Sequence, residues 1–307
     1  MGDAKGYLFK DIDACNMCRS TGNSQKLLGH RLNCHQGAFP SKKKGISTSV
    51  FKCRLCGLVY PSPIPIPLSI EDHYGIVPEE YWDNDYFFIP ENWMKNEINF
   101  FNELNSSAET DGSPCALDIG AGIGKTMITL QQNGFDVMGI EPGEQFHNHA
   151  VTKMGIDKDK IIHSTLEDAS FADKSFDWII FGAVLEHLYD PYLALSKAMK
   201  WLKPGGLVQL EVPNSSWLTS LLVNRFYKMT GQNYVANISP MHSPFHIYEF
   251  STKTFEINGK LLGYEIAQKK ITATSTYLPK ILDSLLFPLM RLSNTGLVLE
   301  TWLRKHK

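Results

Sequence analysis

The sequence has no long apolar run and no strong excess of charge of either sign. No hydrophobic stretch approaches the roughly 20 residues that cross a bilayer, so we expect no transmembrane helix. Lys and Arg total 30 against 32 Asp and Glu, and the resulting net charge of −2 predicts no overall field that would attract a polyanion. Charged residues interrupt the N-terminus and no secretory signal is recognisable, so we expect a cytoplasmic location.

Cysteine is also scarce: the chain has six, and five of them fall within the first 56 residues. Four of these form two CxxC pairs that are separated by 34 residues: Cys15, Cys18, Cys53 and Cys56. Two such pairs supply the four thiolates of a tetrahedral, structural zinc site, and without a secretory signal disulfides are the weaker explanation. Cys34 and His35 are competing ligands with poorer spacing, and a redox-active thiol pair is the alternative to zinc.

The N-terminal part differs in composition from the rest of the chain. Residues 1–60 hold ten Lys and Arg but three Asp and Glu, and residues 61–67 have the composition of a proline-rich linker. We therefore expect residues 1–67 to be a small zinc-ribbon-like domain plus linker, with an interior of its own. The basic run at residues 42–44 predicts a solvated loop, with an anion site for RNA or a phosphate-bearing substrate as the alternative. Residues 68–110, rich in aromatic side chains, are predicted to form a helical lid or connector.

The most informative feature is a glycine-rich turn between two apolar runs. The first run contains Asp118 and leads into Gly120, Gly122 and Gly124; a helix-like segment follows, and the second run ends at Glu141. This order is typical of the nucleotide-binding half of a Rossmann-like unit, in which glycines let the backbone approach the ligand and the terminal acid accepts the ribose hydroxyls. The G-x-G-x-G spacing, with an acid just before the first glycine, points away from NAD-binding proteins.

Four further motifs follow in order: STLEDASF at 164–171, SFDWIIFGAVLEHLYDP at 175–191, LKPGGL at 202–207 and VQLEVPN at 208–214. Together with the glycine turn, they resemble the class I S-adenosylmethionine-dependent methyltransferases of the small-molecule type, over about residues 95–270. The resemblance implies an α/β, Rossmann-like, seven-stranded and mostly parallel sheet with helices on both faces, formed by residues 111–307. An insertion at residues 213–250 falls at the ligand-binding edge of this sheet and is interpreted as a lid.

The resemblance also implies S-adenosyl-L-methionine as cofactor and assigns its contacts. The three glycines would admit the methionine and ribose portion, Asp118 would face the amino-acid moiety, and Glu141 would bind the ribose. The adenine contacts are Thr165, Leu166 and Glu167. Phe181 ends the fourth strand beside the methyl group, with simple packing as its alternative.

Catalytic candidates lie after the fourth strand and in a second, histidine-containing stretch. His187 is the predicted general base, since imidazole takes up a proton near neutral pH, and Glu186 would orient the ring or bind a substrate hydroxyl. A structural histidine bonded to Asp190 or to backbone is the alternative. His246 is the reserve base.

The front end, with two CxxC pairs followed by GLVY and aromatic-rich sequence, resembles the zinc-binding domain of certain sugar C-methyltransferases. Val184 stands where that family's catalytic segment, Tyr-x-Glu-His, has tyrosine. We therefore expect O- or C-methylation of a small polar acceptor, with a sugar or nucleotide-sugar as the best candidate. An rRNA or tRNA methyltransferase with a zinc ribbon that grips RNA, and a non-catalytic cofactor-binding scaffold, are the alternatives. Peripheral membrane contact by residues 213–250 or 277–293 stays open.

Two absences narrow the acceptor further. The fourth strand ends in Phe-Gly-Ala instead of Asn-Pro-Pro-Tyr, which argues against exocyclic amino groups of nucleic-acid bases as targets. Cys115, the one cysteine outside the N-terminal part, stands at the start of the first strand and far from the expected site. The sequence therefore argues against a cysteine-nucleophile cytosine methylase.

Overall fold

The computed structural model describes residues 7–32, 47–68, 84–105, 112–241, 244–276 and 280–307. Outside the described residues lie Cys34, His35, the basic run 42–44 and two stretches of the aromatic-rich connector, 69–83 and 106–110. None of the helices within these ranges is both long enough and apolar enough to cross a bilayer.

The described residues of the N-terminal part contain five short strands: β1 (Tyr7–Lys10), β2 (Gln25–Leu32), β3 (Ser47–Cys53), β4 (Val59–Pro61) and β5 (Ile64–Pro67). Strands β2, β3 and β4 form an antiparallel sheet, and β1 pairs with β5. The proline-rich stretch is therefore not a free linker, because Ile66 lies opposite Leu8 in a strand pair. Proline is tolerated there because a two-stranded ribbon consists only of edge strands.

The centre of the molecule is a seven-stranded sheet, and its strands are β6 (Cys115–Ile119), β7 (Asp136–Glu141), β8 (Ile161–His163), β9 (Phe176–Gly182), β10 (Leu202–Pro213), β11 (Tyr264–Thr272) and β12 (Val298–Lys305). The spatial order is β11-β12-β10-β9-β6-β7-β8, and β12 runs antiparallel to both of its neighbours. The predicted seven-stranded, mostly parallel sheet is confirmed. Strand β10 includes the LKPGGL motif as well as the apolar run after it, because Leu202 already pairs with Phe176 and an irregularity separates this pair from the main ladder.

Seven helices accompany the described strands: α1 (Lys95–Asn105), α2 (Lys125–Gln132), α3 (Glu144–Thr152), α4 (Pro191–Trp201), α5 (Leu218–Met229), α6 (Thr252–Leu262) and α7 (Lys280–Ser293). Local sequence explains several of their ends. The side chain of Asp190 accepts a hydrogen bond from the Leu193 N–H and caps α4, whose first residue is Pro191. A capping box between Ser251 and Thr254 opens α6.

Helices cover both faces of the sheet, because alternate strand residues point to opposite sides. One large buried cluster joins Leu117 and Ile179 to residues of α4 and α6. The other joins Ala116 and Trp178 to residues of α1, α2 and α3. This arrangement confirms the expected three layers.

The N-terminal part does not have an interior of its own. The cysteines of its two CxxC pairs belong to the same buried cluster as the side chains on the α4 and α6 side of the sheet. Met17, Leu58 and Tyr60 belong to this cluster as well. The amide of Asn258 donates to the Met17 carbonyl (2.7 Å), and the Thr254 hydroxyl donates to the Cys56 carbonyl (2.9 Å). The expectation of separate interiors is therefore wrong, since the cysteine cluster forms part of the core on the α4 and α6 side of the sheet.

Candidate active site

The glycine turn after β6 adopts a backbone that favours glycine. Gly120, Gly122 and Gly124 have φ values of +73°, +57° and +82°. A Cβ atom at Gly120 would lie 2.6 Å from Cγ2 of Val184, and one at Gly124 would lie 1.8 Å from Cδ1 of Ile156. A Cβ atom at Gly122 would meet nothing within 4 Å. Two of the glycines are thus needed for packing, and the middle one faces open space that a ligand can occupy.

Glu141 closes the other side of this turn. Its carboxylate accepts hydrogen bonds from the backbone N–H groups of Gly122 and Gly143, both at 2.7 Å. The side chain is buried, and burial raises its pKa while these two hydrogen bonds oppose the rise. The acid at the end of β7 therefore holds the glycine turn in place and lies where the sequence predicts a ribose contact.

Asp118 is buried one strand away from Glu141 in the sheet. Burial, and then the negative charge of Glu141, raise the pKa of Asp118 to about 7. Two carboxyl groups at the carboxyl edge of neighbouring parallel strands disfavour each other's ionisation, and a cationic ligand would relieve this repulsion. The structure brings Asp118, the glycine turn and Glu141 together as predicted.

The segment predicted to contact adenine begins beside Glu141, because the Ser164 N–H donates to the Glu141 carbonyl at 3.3 Å. The Thr165 hydroxyl is engaged with Asp168, to whose carboxylate it donates at 2.8 Å. Leu166 is buried in the core, whereas Glu167 is exposed. Of the predicted trio, Thr165 and Glu167 are therefore exposed, and Leu166 is buried.

A lysine from α4 fastens this segment. Lys197 donates to the carbonyls of Leu166, Glu167 and Ala169, at 3.1, 2.5 and 3.2 Å. Phe181, predicted beside the methyl group, is fully buried in the core cluster. Its alternative interpretation, simple packing, describes its surroundings.

The three predicted catalytic side chains lie together although they come from distant parts of the sequence. Glu186 and His187 form a short 3₁₀ turn after β9, and Glu186 Oε1 lies 3.7 Å from His246 Nε2. The imidazole rings of His187 and His246 meet edge to face with centroids 5.2 Å apart. The Ile247 N–H donates to the Glu186 carbonyl (2.9 Å), which fixes one segment against the other.

Burial sets the protonation of this cluster. It raises the pKa of Glu186 to about 8, with a smaller contribution from Glu211, and it lowers the pKa of His187. Burial, and then His187, lower the pKa of His246 to about 3. Glu186 Oε2 has no hydrogen-bond partner within the described part of the chain. At neutral pH the imidazoles are thus neutral and Glu186 is largely protonated.

His187 is oriented by backbone and not by Asp190. Its Nδ1 lies 3.2 Å from the carbonyl oxygen of Phe245, and assigning the proton to Nδ1 leaves Nε2 as an acceptor. Asp190 instead caps α4 and pairs with Arg19 at 3.2 Å. The alternative of a His187–Asp190 bond is therefore wrong, and the backbone alternative describes the contact.

The four cysteines of the two CxxC pairs form a compact, buried set of free thiols. Sγ atoms of Cys15 and Cys56, and of Cys18 and Cys53, lie 3.5 Å apart, and all four ligand atoms fall within 4.8 Å of one another. Four thiolates at about 2.3 Å from a tetrahedral zinc ion would lie about 3.8 Å apart, so the observed set fits zinc. A hydrogen bond that the Cys15 thiol donates to Cys53, along with burial, raises the pKa of Cys15 to about 12, so the four thiols do not all ionise without a cation.

The first CxxC pair also contacts the segment that carries the predicted catalytic residues, a link that the sequence does not reveal. The Asn16 amide donates to the Tyr248 hydroxyl (2.7 Å) and to the Tyr189 carbonyl (3.1 Å). Tyr248 is buried, and its N–H donates to the Glu186 carbonyl at 3.3 Å. Arg19 stacks over the ring of Tyr192, 4.1 Å from its centroid. No local pattern marks Asn16 or Tyr248, since each gains its role from a partner more than 200 residues away.

Comparison with known proteins agrees with this geometry. A family model described as "Methyltransferase domain" matches residues 94–268, more than half of the chain. The chain belongs to this methyltransferase family. The prediction of an S-adenosylmethionine-dependent methyltransferase is thereby confirmed at the level of the family, whereas the zinc domain and the sugar-specific type lie outside what the match covers.

Individual relatives of this methyltransferase differ in what they act on. A ubiquinone biosynthesis O-methyltransferase from Bradyrhizobium diazoefficiens is 29% identical over 128 residues, which are 40% of this chain and 47% of that protein. A tRNA 5-carboxymethoxyuridine methyltransferase from Escherichia coli is 33% identical over 107 residues, 33% of this chain and 41% of that protein. The chain thus spans less than half the length of these relatives. A solved S-adenosylmethionine-dependent methyltransferase from Methanosarcina mazei is 20% identical, with a TM-score of 0.47, and covers 64% of this chain and 94% of its own.

Proposed function

We propose that this methyltransferase transfers the methyl group of S-adenosylmethionine to an oxygen or carbon atom of a small polar acceptor. The observation that carries the proposal is the contact between the two halves of the site. Val184, two residues before Glu186, packs against Gly120 so closely that a Cβ atom at Gly120 would lie 2.6 Å from it. The catalytic cluster and the cofactor turn are therefore neighbours at one edge of the sheet, where open α/β folds bind ligands.

On the cofactor side, the chain supplies negative charge and an open backbone. S-adenosylmethionine brings a sulfonium and an ammonium group, and its methyl group is already strongly electrophilic. Asp118 would face the ammonium group, and Glu141 would accept hydrogen bonds from the ribose. The open space at Gly122 would admit the chain that joins these two parts. Glu167 and the backbone that Lys197 holds would border the adenine.

On the side of the methyl acceptor, the chain supplies a general base. His187 is neutral at pH 7, and its Nδ1 contact with Phe245 leaves Nε2 available to take the acceptor's proton. His246 would be the alternative general base, since its ring adjoins that of His187 and its low pKa keeps it neutral. Protonated Glu186 would donate to an acceptor oxygen. Holding the cofactor and the methyl acceptor in the right geometry at this junction would supply much of the remaining rate enhancement.

The cysteine cluster would hold a structural zinc ion. Four cysteine ligands leave no open coordination position, so the ion would take no part in the transfer. The ion would instead fix Asn16 and Arg19 against the segment from Glu186 to Tyr192. We propose that residues 1–67 form this zinc-ribbon-like unit and that residues 68–110 connect it to the methyltransferase part.

Two observations favour different classes of methyl acceptor. A sugar or nucleotide-sugar is favoured by the resemblance of the two CxxC pairs and the aromatic-rich front end, whereas an RNA acceptor is favoured by the tRNA methyltransferase among the relatives. A cytoplasmic location accompanies both. Incubation with methyl-labelled cofactor and a fractionated cell extract separates these cases: we expect the label in a small, phosphatase- or glycosidase-sensitive product. Label in RNA would transfer the proposal to tRNA or rRNA, and cofactor binding without any labelled product would favour a scaffold.

A further inference from the structure

Helix α7 presents a stripe of large apolar side chains to solvent. Positions 281, 282, 285, 289 and 292 fall on one face of a helix with 3.6 residues per turn, and all five are Leu or Ile. Ile281 is 79% exposed, Leu285 72% and Leu292 85%. Met290 on the opposite face is fully buried. The helix is therefore packed on one side, and the apolar stripe is the side turned outward.

Helix α5 repeats this arrangement. Its exposed apolar side chains, at i, i+1, i+5 and i+8, are Leu221, Leu222, Phe226 and Met229. Thr219 and Ser220, near its start, are buried, so that α5 is also held by one side. Isolated exposed leucines are ordinary on soluble proteins, but a run of them on two helices marks an interaction surface.

Both helices emerge at the edge of the sheet that carries the candidate active site. Pro213, the last residue of β10, pairs with Val298, the first residue of β12, so the segments on either side of these strands meet at the carboxyl edge. The Leu218 N–H donates to the Thr295 carbonyl (3.0 Å), and the Thr219 hydroxyl donates to the Thr276 carbonyl (3.1 Å). The start of α5 is thus tied to the loops at both ends of α7.

The exposed charges on these two helices have one sign. Four cationic side chains are exposed on the two helices: Arg225, Lys228, Lys280 and Arg291. Asp283 is the one acidic residue in their sequences, and it is half-buried and accepts a hydrogen bond from the Thr276 hydroxyl. In a two-fold contact with a second copy, these cations would approach the cations of the other copy, and neither helix carries an exposed acid to neutralise them. An anionic lipid surface is complementary both to the apolar stripe and to the cations.

We propose that α5 and α7 dock this protein on the surface of an anionic bilayer, with their apolar side chains at the boundary between headgroups and acyl chains. The helices lie on the membrane and do not cross it, because 12 and 14 residues at about 1.5 Å each fall short of a hydrocarbon core of about 30 Å. The active-site edge then faces the membrane. The docking surface is separate from the groups proposed for methyl transfer.

Sedimentation of the full chain with phosphatidylcholine vesicles, with and without phosphatidylglycerol, tests the proposal. We expect the protein to sediment with the anionic vesicles and to be released in part by salt, which screens the four cations. A double variant, Leu285→Glu with Leu289→Glu, should abolish binding. Arg225→Gln and Lys280→Gln should each weaken partitioning about fivefold, the equivalent of about 1 kcal/mol per cation near such a surface.

A matched control separates this surface from general surface hydrophobicity. Leu261 on α6 is 51% exposed, as Leu289 on α7 is 50% exposed, and Leu261→Glu should leave vesicle binding unchanged. Cofactor affinity and thermal unfolding should be the same in all variants, since the substituted side chains face solvent. Absence of sedimentation, or equal loss in Leu261→Glu, would overturn the proposal. A dimer in solution that the double variant dissociates would assign the face to a second copy instead.

Discussion

The cofactor side and the acceptor side of the active-site edge are built in different ways. Asp118, the glycine turn and Glu141 come from one continuous stretch of about two strands and a helix, and Glu141 is held by its neighbours' backbone N–H groups. The acceptor side joins Asn16, Glu186 and Tyr248, which are far apart in sequence. The first side depends on local backbone geometry, and the second depends on the packing of the cysteine cluster against the sheet. Each side should therefore fail in its own way.

The largest effect should follow loss of the proposed zinc site, which would anchor the acceptor side. A structural zinc ion contributes on the order of 10 kcal/mol in small domains, comparable with a total stability of about 5–15 kcal/mol. Because Cys53 lies in the shared core, Cys53→Ser should release zinc and destabilise the whole chain, lowering its melting temperature by more than about 10 °C. Elemental analysis and thermal unfolding are the measurements. Cys115→Ser, which changes a thiol outside the cluster, should retain one zinc per chain and near-native stability.

A large loss of rate, with the cofactor side intact, should follow removal of the proposed base. His187→Ala should bind S-adenosylmethionine normally and lose roughly 10²–10⁴-fold in turnover. Because burial lowers the pKa of His187, the native rate should rise with pH and level off below the ordinary imidazole value of about 6.5. Single-turnover kinetics against pH check both points. Near-native turnover in His187→Ala with a large loss in His246→Ala would move the role to His246.

A smaller effect, confined to the cofactor side, should follow Glu141→Ala. The variant leaves the N–H groups of Gly122 and Gly143 without their acceptor and removes the ribose contact, which together should weaken cofactor binding by roughly 1.5–3 kcal/mol. Calorimetry measures the affinity. Glu167→Ala, which removes an exposed carboxylate from the adjoining segment, should weaken binding less. Equal losses of affinity in the two variants would contradict the proposed role of Glu141 in holding the glycine turn and binding the ribose.

The smallest predicted effect is a pH dependence of cofactor affinity. The pKa of Asp118 is raised to about 7, so its negative charge is present above that pH and lost below it. Affinity for the cationic cofactor should therefore decline by a few-fold as the pH falls from 8 to 6. Asp118→Asn should show a weaker affinity that no longer changes over this interval. A slope that persists in Asp118→Asn would assign the titration to another group.

The same contrast explains what the sequence could and could not predict. Strands β6 and β7 lie where the two apolar runs beside the glycine turn predict them, because glycine spacing and apolar runs determine local structure there. The cluster of Glu186, His187 and His246 was also predictable, since its members follow recognisable motifs. The role of Asn16 was not, because nothing near it in sequence shows that Tyr248 completes its hydrogen bonds. Local sequence patterns likewise do not reveal that the N-terminal part and the sheet share one hydrophobic core, which is why the expectation of separate interiors is wrong.

Calorimetric titration of S-adenosylmethionine into the native protein, Gly120→Ala and Gly205→Ala tests the central claim most directly. Gly120 and Gly205 share a left-handed backbone, with φ of +73° and +79°, but a Cβ atom meets Val184 at Gly120 and open space at Gly205. Both variants therefore carry the same backbone strain, and only one disturbs the junction between the cofactor turn and the catalytic segment. The account predicts one cofactor bound per native chain, near-native affinity in Gly205→Ala and loss of binding in Gly120→Ala. Unchanged affinity in Gly120→Ala, or no binding to the native chain, would contradict it.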